Sequence, residues 1–389
     1  MNVRFLTVSL VILGLALAGC NKDDKSDAQT EGQTTAQDEI LIGAYLSLTG
    51  TTATFGLSTQ KGVEIAVDEV NQAGGVLGKK IRLLTEDTQS KPEEAALATT
   101  KLITRDHVKA LIGEIASSRT LAAAPIAQAN KIPMITPGST NPEVTKKGDY
   151  IFRVCYIDSF QGEVLAKFAY NSLNAGKVAI LEDVKNDYSI GLAQFFADKF
   201  KELGGTIIAT QAYSEGDADF NAQLTSLKSS TPDLIFVPGY YQEAALIVKQ
   251  ARGLNMTMPF LGGDGWDSNE LVEIGGEAMN NTYFGNHYAQ DDTSKVVQEF
   301  VAKFRGRYQN ETPDAMAVLG YDAANILFDA IKRAGSDEST KIRDALATTT
   351  DYPGVAGRTT IDSDRNAKKS LVIIAINDGQ LRFYESVQP

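Results

Sequence analysis

The chain has 389 residues, 43% of them hydrophobic and 22% charged, the mix of a folded soluble chain with more than one domain rather than a disordered or multi-span membrane protein. Its 37 Lys and Arg against 49 Asp and Glu leave a net charge of −12, which argues against the cationic face that a nucleic-acid binder needs to neutralise phosphates. With two His and two Cys, neither a structural zinc site on Cys/His ligands nor a disulfide framework is expected.

Residues 1–19 read as an export signal. Arg4 and the amino terminus supply positive charge, and residues 5–18 form an apolar run shorter than the roughly 20 residues of a membrane span. The run ends in Leu17-Ala18-Gly19-Cys20, which resembles the bacterial lipoprotein box, where the Cys becomes the lipidated first residue. Residues 21–38 contain no large apolar side chain, so residues 20–38 read as a lipidated Cys20 and a flexible linker. The expectation is an exported protein, lipid-anchored on the periplasmic or extracellular face of a membrane. The other thiol, Cys155, reads as a buried core residue.

From Glu39 onward β-rich runs alternate with amphipathic helices. Residues 40–46 form a buried strand candidate. A helix follows over 62–73, with Val63, Ala66, Val67 and Val70 on one face, ended by Gly74-Gly75. Residues 80–85 give a strand, 92–106 a helix with Pro at its start, and 108–112 a strand. The rhythm returns in strands over 177–181, 206–209 and 233–238 and helices over 191–203 and 220–227. Such alternation means βαβ units and parallel sheets. So many strands exceed one open sheet, which predicts two sheets and two lobes. No tandem repeat is visible.

Ligands of open parallel sheets bind at the carboxyl ends of strands, where helix N-termini point free N–H groups. The loops after Leu46, Ile112, Ile135, Leu181, Val237 and Leu261 are therefore the candidates. After Ile112 comes Gly113-Glu114-Ile115-Ala116-Ser117-Ser118-Arg119-Thr120, where Ser117 or Ser118 suits a helix N-cap and a small anion site; an ordinary cap has the same signature. After Ile135 comes Thr136-Pro137-Gly138-Ser139-Thr140-Asn141-Pro142, a second hydroxyl-rich turn. Each alone is turn chemistry, but on successive βα units both can converge on one ligand. In the second half, Asp264 stands between glycines in Leu261-Gly262-Gly263-Asp264-Gly265-Trp266 and suits a ligand cation, or is a solvated turn residue. Tyr188, Tyr240 and Trp266, with Phe55 from the first half, bring aromatic faces to the same mouth. No hydrolase elbow, phosphate loop, metalloprotease or dinucleotide motif occurs. His107 and His287 read as non-catalytic. No catalytic residue, cofactor or metal is expected.

At these residues the sequence resembles the branched-chain amino acid (leucine/isoleucine/valine-type) substrate-binding proteins of ABC importers, of periplasmic binding protein type I fold. The markers are Asp68-Glu69-Val70-Asn71-Gln72-Ala73-Gly74-Gly75-Val76-Leu77-Gly78, the Ser117-Ser118-x-Thr120 segment and Pro133-Met134-Ile135-Thr136-Pro137-Gly138-Ser139-Thr140. The run Tyr150-Ile151-Phe152-Arg153, followed by Asp158-Ser159-Phe160-Gln161-Gly162, belongs with them. The resemblance implies an α/β fold of two Rossmann-like lobes, with helices flanking parallel sheets, joined by a three-strand hinge. Lobe 1 is expected over 39–157 plus 288–370 and lobe 2 over 158–287 plus 371–389, with crossovers near Ile157, His287 and Ser370. It implies an amino-acid ligand whose carboxylate meets Ser117 and Thr140 and whose ammonium meets the Gly138 carbonyl, Thr140 and Asp264. Ser139 belongs to the same turn. Tyr188 and Tyr240 would cover the ligand, with Phe55 and Trp266 lining its side-chain pocket. The implied partners are the permease and ATPase of an ABC importer, for a receptor acting as a monomer. Two features differ from the best-known members. Asp264 stands where Glu is found, which implies a longer or water-mediated ammonium contact, and Trp266 is bulkier than the usual residue. The disulfide of some members is absent, with Gln89 and Ala116 near its positions. Two other readings share the fold: a sensory receptor, and a receptor for an amide, urea, nucleobase or aromatic acid.

Overall fold

A computed structural model describes residues 39–388; the signal, Cys20 and linker readings lie outside the described residues. Chain order builds one sheet, then a second, then returns. The first stretch runs through β1 (Glu39–Leu46), α1 (Ala53–Gln72), β2 (Lys80–Asp87), α2 (Pro92–Thr104), β3 (Ala110–Gly113), α3 (Ser117–Ala129), β4 (Met134–Thr136) and β5 (Ile151–Arg153). These strands form a five-stranded sheet in the order β2-β1-β3-β4-β5, parallel throughout. The chain then passes into α4 (Asp158–Lys167), β6 (Lys177–Asp183), α5 (Asp187–Glu202), β7 (Thr206–Tyr213), α6 (Asn221–Ser229), β8 (Leu234–Val237), α7 (Tyr241–Gly253), β9 (Phe260–Gly262), α8 (Asn269–Gly275) and β10 (Thr282–Asn286).

After β10 it returns to pack α9 (Lys295–Arg307), α10 (Ala315–Ala334) and α11 (Ser339–Ala347) with the first stretch. It then makes a small antiparallel sheet of β11 (Tyr352–Gly354), β12 (Gly357–Ile361) and β13 (Ala367–Lys368). A last crossing leads to β14 (Leu371–Asn377) and β15 (Gln380–Val387). The second sheet thus has seven strands, β15-β14-β10-β9-β8-β6-β7, and its last two strands run antiparallel. The expected parallel order holds from β6 to β10; β14 then enters antiparallel to β10, and Asp378-Gly379, both at positive φ, turns the chain as a tight hairpin into β15 at the edge. The chain therefore passes between the two sheets three times, over 154–157, 287–294 and 369–370.

The expected helix over 62–73 starts nine residues earlier, at Ala53. Its first turns bury Gly56, Ser58 and Thr59, small groups that apolar periodicity does not register. They let α1 lie against α10 at backbone contact. A Cβ on Gly62 would stand 1.9 Å from the Ala317 carbonyl oxygen, and one on Gly320 2.6 Å from that of Thr59. Gly306 in α9 is exposed and has nothing within 4 Å. Helix propensity favours Ala over Gly at both helical positions, so only the contact separates them. Gly306→Ala is expected to stabilise by about 0.5–1 kcal/mol. Gly62→Ala is expected to destabilise by about 1–3 kcal/mol through overpacking. Urea unfolding midpoints of the two variants check this; equal shifts would remove the close α1–α10 contact as a constraint.

Candidate functional site

The carboxyl ends of both sheets face one another, and the loops there line a small, tightly closed cleft formed by Phe55, Ile115, Ser117, Gly138, Thr140, Tyr188, Tyr240, Asp264, Gly265 and Met316. Phe55 comes from α1, Ser117 from the start of α3, Gly138 and Thr140 from the turn after β4, Tyr188 from α5, Tyr240 from the turn before α7, and Asp264 from the loop after β9.

Both hydroxyl-rich turns are stitched together before anything reaches the cleft. The Glu114 carbonyl accepts hydrogen bonds from Thr120 Oγ1 (3.1 Å), Thr136 Oγ1 (2.5 Å) and Ser139 Oγ (3.0 Å). Its carboxylate accepts from Ser47, from Thr88 Oγ1 (2.8 Å) and from the Ala116 N–H (2.8 Å). Arg153, fully buried, donates to the carbonyls of Ser139 (2.6 Å) and Asn141 (2.8 Å), and the Asp158 N–H donates to the Thr140 carbonyl (3.0 Å). The residues on either side of Thr140, and its own carbonyl, are thus pinned while its hydroxyl oxygen stays buried with no partner. Ser117 Oγ accepts from the Asn141 N–H at 3.2 Å, which leaves its proton free to donate.

The opposite wall is aromatic and acidic. Tyr188 and Tyr240 stack with centroids 5.5 Å apart and planes 2° apart, and Phe55 meets Tyr240 edge-on at 5.7 Å. Burial pushes both tyrosine hydroxyls well above their ordinary range, so they act as neutral donors. Asp264 is 2% exposed. Gln161 Nε2 donates to its Oδ1 (3.0 Å) and Gln161 Oε1 accepts from its N–H (2.8 Å); His287 Nε2 lies 3.0 Å from its Oδ2. The glycines around it are close-approach positions: a Cβ on Gly263 would stand 2.4 Å from the Tyr188 hydroxyl, and one on Gly265 2.6 Å from the Gly239 carbonyl oxygen. Gln161 Nε2 also reaches Asp158 Oδ1 at 3.1 Å. Burial first, and then Asp264, push the Asp158 carboxyl well above its usual range. Cys155 is buried, with its thiol pushed up to about 12 chiefly by burial.

Contacts between the two halves ring the cleft. Arg119 reaches Glu215 (2.9 Å) and Thr52 Oγ1 (2.7 Å); burial pulls its basicity down, but Glu114 and Glu215 outweigh burial and raise it. The Tyr241 hydroxyl donates to the Thr51 carbonyl (3.2 Å). Asn141 Nδ2 donates to the Asp187 carbonyl (2.8 Å), and the Asp187 N–H to Ser118 Oγ (3.0 Å). At the start of α10, Asp267 Oδ2 accepts from the Ala315 N–H (2.6 Å) beside the N-cap Asp314; burial, then mutual repulsion, raises the Asp314 carboxyl.

The structure therefore brings Phe55, Ser117, Gly138, Thr140, Tyr188, Tyr240 and Asp264 to one cleft and leaves two expected residues outside it. Ser139 spends its hydroxyl on the carbonyls of Glu114 and Ile115. Trp266 is fully buried behind the loop, donates Nε1–H to the Val237 carbonyl (3.0 Å), and lies where a Cβ on Gly262 would stand 2.1 Å from its ring. It is a core residue, and it does not restrict the cleft. Ser117 and Ser118 are the first residues of α3, and Ala116 holds the cap position, so neither serine caps the helix. Ile115, Gly265 and Met316 line the cleft unforeseen; the first two stand on loops that the sequence marks, whereas Met316 carries no signal of its own. Gln161 and His287, which hold Asp264, were also unforeseen, although Gln161 stands in a marker segment.

Comparison with known proteins bears on the family and the fold. Residues 39–380 match the family model described as Periplasmic binding protein. The chain is 32% identical over 332 residues to Leu/Ile/Val-binding protein homolog 1 of Brucella suis, covering 85% of this chain and 88% of the relative. Its structure is similar to the leucine-binding protein LivK of Thermotoga maritima (42% identity, TM-score 0.85, 90% of this chain and 99% of that one). It is similar too to the branched-chain amino acid transporter substrate-binding protein LivJ of Streptococcus pneumoniae in complex with isoleucine (38% identity, TM-score 0.86, 90% and 100%).

The Trp266 placement has a direct consequence. Trp266→Phe keeps an aromatic ring in the core but removes the indole hydrogen bond to the Val237 carbonyl, which retains the one from the Gly239 N–H, an expected loss of about 0.5–1.5 kcal/mol in stability with ligand preference unchanged. Denaturant unfolding together with ligand competition measures both; an unchanged midpoint with altered preference would return Trp266 to the pocket.

Proposed function

The chain belongs to the periplasmic binding protein family, and from that premise we propose that it captures a small amino acid, aliphatic or branched-chain, between two lobes and delivers it to the permease and ATPase of an ABC importer. The lobes are residues 39–157 plus 288–370 and residues 158–287 plus 371–389, moving about the three crossings. The receptor performs no chemistry on its cargo, acts as a monomer, and is held outside the cytoplasm by lipid on Cys20.

One observation carries the reading: a small buried cleft sets unspent donors opposite unspent acceptors. An α-amino acid presents a carboxylate and an ammonium on one carbon, so its site must meet both charges within a few ångströms. On the donor side are the Ser117 hydroxyl and the free N–H groups of the first turn of α3, a favourable seat for a carboxylate. Thr140 Oγ1, buried without a partner, serves either charge. On the acceptor side are the Gly138 carbonyl and the Asp264 carboxylate, which receives the ammonium. The stacked Tyr188 and Tyr240 shut water out, and Phe55, Ile115 and Met316 offer an apolar seat for the side chain, which favours an aliphatic cargo.

Removing one partner of a buried charge leaves the other uncompensated, at about 3–5 kcal/mol. Asp264→Ala is therefore expected to weaken leucine, valine and alanine alike by about two to three and a half decades, since all three share the ammonium. Phe55→Ala should instead re-rank them, because a methylene in an apolar pocket is worth about 1–3 kcal/mol. Titration calorimetry decides. Unchanged binding to Asp264→Ala would remove the amino-acid assignment while leaving the two-lobed receptor standing.

A further inference from the structure

Asp264 is gripped by two side chains of different character. Gln161 is neutral at every pH, whereas His287, 3.0 Å from Oδ2, has a second charge state. His287 stands at the second crossing between the sheets, fully buried in its side chain. Its ring is stacked on Tyr156 with centroids 3.8 Å apart and planes 24° apart, so it cannot swing away from the carboxylate without losing that contact. An ionised carboxylate only accepts, which makes Nε2 the protonated nitrogen. Nδ1 is buried with no partner, as fits a neutral ring whose second nitrogen carries only a lone pair.

Resting on the ammonium-to-Asp264 reading above, we propose that His287 is a positioning residue that sets how much negative charge Asp264 offers the ligand. As a neutral donor it fixes the carboxylate by one hydrogen bond and leaves its charge to the incoming ammonium. As an imidazolium it takes that charge itself and competes with the ligand. Two cations cannot both be compensated by one buried carboxylate, so ligand binding and protonation of His287 oppose each other.

The surroundings support the neutral form. Burial holds the His287 ring below its ordinary range, against the pull of Asp264, and Lys369 at the third crossing pushes the same way as burial. Lys369 is itself buried, without a partner for Nζ. The other titratable groups near the pair are Asp158 on α4, Tyr188 on α5, Asp267 beyond Asp264 in the same loop, and Cys155 and Tyr156 at the first crossing.

The sign follows from linkage. Ligand lowers the proton affinity of His287, so binding expels a proton where the free ring is charged, and affinity is full above that range and falls with acidity below it. Asp267 and Asp314 have the opposite tendency, because burying two carboxyls together on closure takes protons up.

The test is calorimetric titration of the full mature chain with L-leucine between about pH 8 and about pH 5, for wild type, His287→Gln and Asp264→Ala. Gln keeps a neutral donor near the Nε2 position. Whatever the affinity of His287→Gln at neutral pH, wild-type affinity should fall toward acid pH relative to it, with a slope of up to about tenfold per unit; the carboxyl pair is common to both and cancels in the ratio. A ratio of wild-type to His287→Gln affinity that does not fall toward acid pH overturns the proposal. Unchanged leucine binding by Asp264→Ala would instead overturn the ammonium assignment beneath it. Should His287→Gln not fold, wild-type titrations on the acid side in two buffers of different ionisation enthalpy decide. These are run also in an Asp314→Asn background, which removes the carboxyl pair that takes protons up; net proton release there supports the proposal, and no release, or uptake, overturns it.

Discussion

A buried carboxylate in contact with no ammonium or guanidinium sets the main constraint on the cleft, and the groups around it hold it in place. Asp264 is 2% exposed, and among the described residues its only basic contact is His287, a group that burial keeps neutral. Taking an ion out of water costs several kcal/mol even after relaxation. Hydrogen bonds from Gln161 and His287 meet that cost part of the way. On the facing wall Thr140 keeps an unpartnered hydroxyl while its neighbours are bonded. The proposed zwitterion would supply what both walls lack.

The crossings between the sheets are built into that site. Arg153, just before the first crossing, pins the carbonyls on either side of Thr140. Asp158 and Gln161, just after it, tie Thr140 and Asp264 to one helix. His287 opens the second crossing, and Lys369 stands at the third. The segments that join the two sheets are therefore those that orient the groups lining the cleft. Arg119 with Glu215, and Asn141 with Asp187, close the rim at the far side.

Much of this was legible in the sequence. The βα rhythm predicts two sheets, and the rule that ligands gather at strand carboxyl ends selects the loops that line the cleft. What stayed hidden is physical in origin. A hydroxyl-rich turn looks the same whether its hydroxyls face a ligand or a neighbouring carbonyl, so Ser139 was grouped with Thr140. An aromatic residue two positions from a site carboxylate can point either way along a tight turn, and Trp266 turns into the core to meet the Val237 carbonyl. A solitary His carries no pattern, and the partner of His287 is 23 residues away. Met316 enters from a helix that belongs to no βα unit.

The central claim is that the cleft recognises both charges of an α-amino acid at once. Calorimetry with L-leucine, 4-methylpentanoate and 3-methylbutylamine tests it most directly, because the latter two keep the leucine side chain and each lacks one charged group. Leucine should bind, and each analogue should lose at least about a hundredfold in affinity, since each leaves one side of the site unmet. If 4-methylpentanoate binds as tightly as leucine, Asp264 does not hold an ammonium and the account is wrong at its core.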